Sequence, residues 1–280
     1  MPSKKFDWTV SQKQRLRELN APSQVQDQFF PSEKDRNTNF LKLEQEYVHQ
    51  SRDRLQKLRE KQRRPKICTL EDALVQILTK IGFIQVVTPI LISKSSLDKM
   101  SIRPGHKLSQ QVFWLGTKKC LRPMLAPNLY YLLRKLVRIW EKPIRIFEVG
   151  PCFRKDSGGR HHVNEFTMLN LVELGIPREK GLARLEELVS VVMEAAGIKE
   201  YKSATHKSEV YGSTIDFVSE IELASGVVGP HPLDSCWGIT DPWVGVGFGL
   251  ERLLMVREKY RNIQRAGRAL VYLDGERLNI

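Results

Sequence analysis

The chain lacks any hydrophobic run of the roughly 18 residues that a membrane-spanning helix needs. Its first ten residues, MPSKKFDWTV, also lack the apolar core of a secretory signal peptide. A hydrophobic content of 41% over 280 residues is nevertheless sufficient for one large domain with an appendage. We therefore expect a cytoplasmic protein that makes no membrane contact.

Cysteine is scarce, and its distribution excludes some kinds of site. The four cysteines lie far apart, at Cys68, Cys120, Cys152 and Cys236. No C-x-x-C pair occurs, and no cysteine has a histidine at the spacing of a zinc ligand. The sequence predicts reduced thiols in a cytosolic protein and no zinc site.

Positive charge, in contrast, is abundant and unevenly distributed. The net charge is +13, and residues 1–66 hold 16 lysines and arginines against 9 aspartates and glutamates. Residues 52–66 alone hold eight basic and two acidic side chains. This density is typical either of a solvated helix face or of a surface that binds a polyanion. The basic residues that we single out are Arg52, Arg59, Arg63 and Arg64.

Pro65 divides the chain into a helical, basic segment of residues 1–64 and a larger domain of residues 65–280. In the domain, Thr69 is the predicted N-cap of an amphipathic helix that Gly82 ends. Short strand-like segments follow, and most of them are joined by turns instead of helices. We therefore predict an α+β fold with a mainly antiparallel sheet flanked by helices.

Glycines alternate in the segment WVGVGFGLER, at Gly245, Gly247 and Gly249, just before Arg252. The segment is not a dinucleotide-binding motif, because Leu250 stands in place of the third glycine and no βαβ unit follows. In a strand these glycines would leave one face bare, so that a flat ligand can approach the backbone. The alternative is close packing of a helix on the strand, with Arg252 at the surface.

Two further segments carry candidate ligand-binding residues. In FEVGPCFRKDSGGRHHVNEF, Arg154 ends one strand and Phe166 opens the next, and the loop between them is cationic. Guanidinium groups bind phosphate in a bidentate manner, so this loop suits a polyphosphate. In EIELASGVV, Glu222 and Ser225 offer oxygens for Mg²⁺, although such residues in a strand are usually surface residues.

These segments follow one another as the three motifs of class II aminoacyl-tRNA synthetases do: a helix and a strand with Pro89, the loop after Arg154, and GFGLER with Arg252. The segments LRPMLAPNLYYLLRKL, EFTMLNL, ELASGVVGP and PWVGVGFGLERLLMV resemble those of the pyrrolysyl-tRNA synthetases, in the form that carries only the catalytic domain. The similarity covers most of residues 64–280. The small tRNA-binding N-terminal domain of longer members is missing from the sequence.

The resemblance implies an ATP- and Mg²⁺-dependent ligase that activates pyrrolysine, or a close Nε-acyl lysine, as the adenylate and transfers it to its cognate tRNA. It also implies a homodimer with the region around Pro89 at the interface, and it leaves open whether a separate tRNA-binding protein assists. The basic segment would contact the tRNA through Arg52, Arg59, Arg63 and Arg64.

Residue roles follow from the same resemblance. Arg154, Arg252 and Glu222 would be catalytic, Phe166 would stack under the adenine, and Glu222 and Ser225 would bind Mg²⁺. The expected ATP-binding residues are Arg154, Asp156, His162, Val163, Phe166, Glu222, Ser225, Gly247 and Arg252. The expected amino-acid pocket consists of Ala126, Leu129, Tyr130, Leu133, Met168, Asn170, Val172, Tyr211, Trp243 and Gly245.

The sequence departs from the family pattern at two places. Asp156 stands where the family has a glutamate, and the spacing from Tyr211 to Glu222 is one residue short. Two alternative functions stay open: a related class II synthetase for an aromatic, phenylalanine-like amino acid, and a non-catalytic paralogue that only binds tRNA. The presence of Arg154, Glu222 and Arg252 argues against the paralogue.

Overall fold

The computed structural model describes residues 5–155, 159–208 and 210–280. The N-terminal part combines short elements with one long helix: β1 (Phe6–Asp7), α1 (Val10–Glu18), α2 (Ser23–Gln26), β2 (Phe29–Phe30) and α3 (Glu33–Lys57). A π turn at Leu58–Gln62 continues α3 toward Pro65.

The remaining elements belong to the larger part of the chain. Its first half contains α4 (Lys66–Lys80), β3 (Ile84–Gln85), β4 (Leu91–Ser93), α5 (Lys94–Lys99), α6 (Lys107–Gln111), β5 (Trp114–Leu115), β6 (Lys119–Leu121) and α7 (Ala126–Leu136). Its second half contains β7 (Ile144–Phe153), β8 (Glu165–Leu174), α8 (Gly181–Ala195), β9 (Lys202–Ser208), β10 (Gly212–Val218), β11 (Glu222–Val228), β12 (Trp243–Gly249), α9 (Leu250–Arg257), β13 (Tyr272–Leu273) and β14 (Glu276–Arg277).

Seven strands form the central sheet, in the order β3-β7-β8-β12-β11-β10-β9. The pair β3–β7 is parallel, and the other neighbours in this sheet are antiparallel. The predicted α+β fold with a mainly antiparallel sheet is therefore confirmed. Its long strands β7 and β8 are joined by the loop that follows Arg154, which brings that loop to one end of the sheet.

The two faces of the sheet differ, because successive residues of a strand point to opposite sides. On one face, Val244, Val246 and Phe248 of β12 are buried together with leucines of α4, α8 and α9 in the main hydrophobic core. The glycines of β12 lie on the other face. A second apolar cluster covers one end of that face, with Leu129 and Leu133 of α7 among its members.

Helix α4 begins earlier than predicted. Its N-cap is Pro65, and Thr69 lies inside the helix, where its hydroxyl donates to the Lys66 carbonyl at 2.9 Å. The prediction of Thr69 as the N-cap was wrong, because Asp274 supplies the cap from the other end of the chain: its carboxylate accepts from the Lys66 N–H at 2.7 Å. Gly82, at φ +90°, follows the end of α4 as predicted.

The N-terminal segment has a small hydrophobic cluster of its own, which contains Trp8, Leu16, Ala21 and Phe30. It is also tied to the C-terminal hairpin, because Arg54 of α3 forms an ion pair with Glu276 of β14. The division into residues 1–64 and 65–280 stays a prediction. Among the described helices, none has both the length and the apolar character that a membrane crossing requires.

Candidate active site

A cavity of about 550 Å³ lies on the glycine-bearing face of the sheet. Strands β8, β11 and β12 form its floor, and α7 closes one side of it. This volume lies within the range usual for sites that bind small molecules. The two ends of the cavity carry different side chains. Which side chains lie at each end depends on how far along the strands their residues are.

The end nearest the β7–β8 loop is cationic and aromatic. The Arg154 Nε donates to the Pro123 carbonyl at 2.8 Å, and its guanidinium carbon lies 5.3 Å from the centre of the Phe166 ring. Arg252, in the first turn of α9, donates to the Glu222 carbonyl at 3.1 Å and lies 3.4 Å from the Glu222 carboxylate. Two guanidinium groups beside an aromatic face suit a purine with a chain of phosphates.

A β-bulge explains how Glu222 and Ser225 border the same cavity. Residues three apart in a regular strand point to opposite faces. The register between β10 and β11 shifts at Phe217/Val218, so that Leu223 is an extra residue in β11. The extra residue restores Glu222 and Ser225 to one side. The Ser225 hydroxyl donates to the Asp216 carboxylate at 2.6 Å, which fixes its orientation.

The strand register also sets the length of the cavity and the position of Asn170 along it. Phe166, Met168, Asn170 and Val172 alternate along β8 and share one face. Their spacing places Asn170 about 13 Å along the strand from Phe166. In β12, Gly247 lies directly opposite Asn170. The cavity is therefore elongated, with Asn170 between the cationic end and the end beneath α7.

The glycines of β12 make room for pocket side chains of the chain itself. A Cβ atom on Gly247 would lie 3.0 Å from the Asn170 Nδ2 and 3.2 Å from the Met168 Cε. A Cβ atom on Gly245 would lie 2.9 Å from the Trp243 ring. The bare strand face expected from the sequence thus accommodates Asn170 and Trp243 as well as any ligand.

The side chain of Asn170 has one polar atom that is not paired within the described part of the chain. Its Oδ1 is buried and has no hydrogen-bond partner among the described residues. A buried amide without partners costs free energy, so such groups are rare in folded proteins. A ligand in the cavity would complete the hydrogen bonding of this amide.

The end beneath α7 is aromatic. Tyr130 stacks on Trp237 with 5.4 Å between the ring centres and meets Trp243 edge-on at 5.6 Å. Burial raises the pKa of the Tyr130 hydroxyl above its ordinary range, so the group stays a hydrogen-bond donor at neutral pH. Its acceptor is the buried carboxylate of Asp234.

Comparison with known proteins places this arrangement in a family. The family described as tRNA synthetases class II core domain (F) matches residues 51–274. A crystal structure of pyrrolysyl-tRNA synthetase from Desulfitobacterium hafniense is 53% identical, with a TM-score of 0.92 over 98% of this chain and 99% of that one. A structure of Desulfitobacterium hafniense PylSc, a pyrrolysyl-tRNA synthetase, is 52% identical, with a TM-score of 0.91 over 100% and 98% of the two chains. The chain belongs to the pyrrolysyl-tRNA synthetase family.

More distant relatives share only part of the chain. The histidine–tRNA ligase of Sulfolobus acidocaldarius is 22% identical over 139 residues, which are 48% of this chain and 32% of that protein. The histidine–tRNA ligase of Metallosphaera sedula is 24% identical over 110 residues, which are 38% and 25% of the two chains. The chain thus spans about a third or less of these curated relatives.

Most of the residues predicted for ATP and for the amino acid meet at this one cavity of the pyrrolysyl-tRNA synthetase fold. Asp156 lies outside the described residues, and the other members of both sets border the cavity. The four arginines predicted to contact tRNA do not reach it. Arg52 is exposed on α3, Arg59 is exposed on the turn that follows, and Arg63 and Arg64 are exposed just after that turn. Arg64 forms an ion pair with Asp72.

Two buried carboxylates beside the cavity were not predicted. Asp234 lies in a short 3₁₀ turn, Pro232–Trp237, where no hydrophobic periodicity marks it. Glu251 is 1% exposed and accepts from the Thr167 backbone N–H with both oxygens, at 2.8 and 2.9 Å. The sequence offered one signal for Glu251, which is its position directly before Arg252. That the side chain of Glu251 is buried is visible only in the structure.

Proposed function

We propose that this chain activates pyrrolysine, or a close Nε-acyl lysine, with ATP and transfers it to a cognate tRNA. The observation that carries the proposal is the buried Oδ1 of Asn170, which lacks a hydrogen-bond partner among the described residues and lies halfway along a cavity whose far end is aromatic. Members of the class II synthetases use ATP, which supports assigning the cationic end to the nucleotide. The amino acid then occupies the rest of the cavity.

The reaction needs positioning and charge stabilisation, and no nucleophile from the protein. The amino-acid carboxylate attacks the α-phosphorus of ATP, the bond to the β-phosphate breaks, and pyrophosphate leaves. A tRNA ribose hydroxyl then attacks the acyl carbon, and AMP leaves with the bonding electrons. Arg154 and Arg252 would stabilise the charge that develops on the phosphates, and Phe166 would hold the adenine.

Glu222 and Ser225 suit a magnesium ion in this arrangement. Magnesium takes few protein ligands when phosphates and water supply the others, and one carboxylate with one hydroxyl on the same side meets that need. The ion would neutralise part of the charge on the triphosphate. Glu222 also contacts Arg252, so the two groups would bind the same stretch of phosphates.

The amide of Asn170 explains the preference for an acylated lysine. An Nε-acyl group offers a carbonyl, which can accept a hydrogen bond from the Asn170 Nδ2, and an Nε–H, which can donate one to the unpaired Oδ1. Free lysine would bring an ammonium ion into largely apolar surroundings, where it is disfavoured. Phenylalanine would leave the amide unpaired, at a cost of about 1–3 kcal/mol.

We also propose a homodimer, with the region around Pro89 at its interface. The exposed apolar side chains there include Ile84, Val87, Ile90 and Leu91, close to the edge of the central sheet. The tRNA would contact the exposed arginines Arg52, Arg59, Arg63 and Arg64. Whether a separate tRNA-binding protein assists is tested by charging the tRNA with and without such a protein.

Amino-acid-dependent exchange of pyrophosphate into ATP tests the proposed reaction. The assay is run with each of the twenty standard amino acids, with pyrrolysine and with Nε-acyl lysines. Exchange should require pyrrolysine or an acylated lysine. Exchange that depends on phenylalanine alone would favour a synthetase for aromatic amino acids, and no exchange with any amino acid would favour a non-catalytic paralogue.

A further inference from the structure

Asp234 lies at the aromatic end of the cavity with its carboxylate surrounded by donors. The residue is 1% exposed. Its Oδ1 accepts from the Tyr130 hydroxyl at 2.9 Å, and its Oδ2 accepts from the Trp243 Nε1 at 2.7 Å. The His231 backbone N–H also donates to Oδ2, at 2.7 Å. These three hydrogen bonds satisfy both oxygens of the buried carboxyl group.

Hydrogen bonds also fix the backbone around Asp234. His231 caps the 3₁₀ turn that contains Asp234, since the His231 Nδ1 accepts from the Leu233 N–H. The Ile239 N–H donates to the Asp234 carbonyl at 3.1 Å. The carboxylate therefore joins three elements at a fixed point: the turn itself, α7 through Tyr130, and β12 through Trp243.

Both aromatic partners of Asp234 are walls of the cavity. Trp243 lies opposite Leu174 in the register of β12 and β8, four residues along β8 from Asn170. Four residues of a strand span about 13 Å, so the backbone of Trp243 lies about 13 Å beyond Asn170 along the strand direction, on the side away from Phe166. Tyr130 and Trp243 thus face the part of a substrate side chain that extends past the acyl carbonyl.

We propose that Asp234 is a positioning residue that fixes Tyr130 and Trp243 and so sets the preference for a long acyl group. The inference rests on the proposed function and deepens it. A rotation of Tyr130 would remove its hydrogen bond to Oδ1, and a rotation of Trp243 would leave Oδ2 with the His231 N–H alone, so both hydrogen bonds favour the observed positions of the two walls. A substrate with a short acyl group ends near Asn170 and does not depend on these walls.

Steady-state pyrophosphate exchange with two substrates tests this role. One substrate is Nε-acetyl lysine, and the other is an Nε-acyl lysine whose acyl group carries a five-membered ring. Asp234→Ala should lower kcat/KM for the ring-bearing substrate on the order of tenfold, the ratio that corresponds to a hydrogen-bond loss of about 1.4 kcal/mol. The value for Nε-acetyl lysine and the KM for ATP should change much less.

The conservative variant Asp234→Asn should restore most of the selectivity. Its amide oxygen can accept from Trp243 and His231, and its NH₂ group can donate to the Tyr130 oxygen. Tyr130→Phe removes one donor and keeps the ring, so it tests the same contact if Asp234→Ala does not fold. It should also lower kcat/KM more for the ring-bearing substrate than for Nε-acetyl lysine.

A second buried carboxylate gives the matched control. Glu173 of β8 is also 1% exposed and forms ion pairs with Arg145 and Arg184 away from the cavity. Glu173→Gln should lower the melting temperature and leave the ratio of the two kcat/KM values unchanged. An unchanged ratio in both Asp234→Ala and Tyr130→Phe, with an active wild type, would overturn the role of Asp234 alone. A wild type that uses neither substrate would overturn the proposed function and this inference with it.

Discussion

Arg252 contacts Glu222 at the cationic end of the cavity and lies in the first turn of α9, where it is partly exposed. If it binds the phosphates in the transition state, Arg252→Ala should lower the exchange rate by roughly two to three orders of magnitude, as the loss of one well-placed donor does. Arg257, on the same helix and paired with Glu258, gives the control variant Arg257→Ala. Equal rates in the two variants would remove Arg252 from the catalytic set.

Asn170→Ala tests the selection of the acyl group. The variant should lower kcat/KM for an Nε-acyl lysine and raise it for phenylalanine, because it removes the amide and leaves space beside Gly247. Asn128 also carries an amide, but this one donates to Thr88 and to the Pro89 carbonyl. Asn128→Ala should reduce stability without moving the substrate ratio. A ratio that stays constant in Asn170→Ala would show that another residue selects the substrate.

Glu251 should make stability depend on pH. Burial raises the pKa of its carboxyl from 4.5 to about 7, although the Thr167 N–H and the Arg268 guanidinium favour the charged form. The folded state therefore keeps a proton that the unfolded state has lost. The stability that Glu251 contributes is complete below pH 4.5 and is lost as the pH rises through about 7. The loss is at most about 3 kcal/mol.

Urea unfolding at pH 5 and pH 8 measures this effect of Glu251. The free energy of unfolding should fall more between the two pH values in the wild type than in Glu251→Gln, which cannot titrate at this position. Parallel pH profiles for the two proteins would mean that Glu251 is ionised in both states throughout this range.

The roles of some site residues can be predicted from the sequence, whereas the roles of others can be recognised only in the folded structure. Arg154, Arg252 and Asn170 lie in segments whose glycine, arginine and strand patterns are visible in the sequence. Asp234 lies in a 3₁₀ turn and gains its role from a tyrosine 104 positions away and from a tryptophan at the start of β12. No local pattern encodes such a meeting, so the sequence could not predict it.

At the scale of elements, the basic surface on α3 and the turn after it has its own test. Arg52→Gln with Arg59→Gln should weaken tRNA binding and reduce the dependence of log K on log salt by up to about 0.9 per lost phosphate contact. Lys34→Gln with Lys42→Gln removes the same charge from exposed positions on α3 and should have less effect. Equal salt slopes in the two double variants would identify the surface as a solvated helix face.

Regular elements were predictable where periodicity was strong. The leucines of α4 and the turn-joined strands sufficed for the α+β architecture. Strand β9 was not predicted, because its segment KSATHKS is polar and lies almost entirely exposed at the edge of the sheet. The bulge at Leu223 was not predictable either, since a register shift depends on the partner strand.

At the scale of the whole molecule, the exposed apolar edge near Pro89 tests the dimer. Val87 is 89% exposed, and Val87→Asp places a charge where a partner would pack. The variant should sediment as a monomer at concentrations at which the wild type is a dimer, because a charge buried in an interface is strongly disfavoured. Leu270, which is 98% exposed elsewhere, gives the control Leu270→Asp, which should leave the dimer intact. A monomeric wild type would contradict the dimer.

The central claim is that one elongated cavity binds ATP at Phe166 and the acyl group of the amino acid at Asn170. A crystal structure of the chain with a non-hydrolysable ATP analogue and a ring-bearing Nε-acyl lysine measures both positions at once. We expect the adenine on the Phe166 ring, the phosphates between Arg154 and Arg252, and the acyl carbonyl within hydrogen-bonding distance of the Asn170 Nδ2. An amino acid bound with its acyl carbonyl away from Asn170, or an adenine bound away from Phe166, would contradict the account.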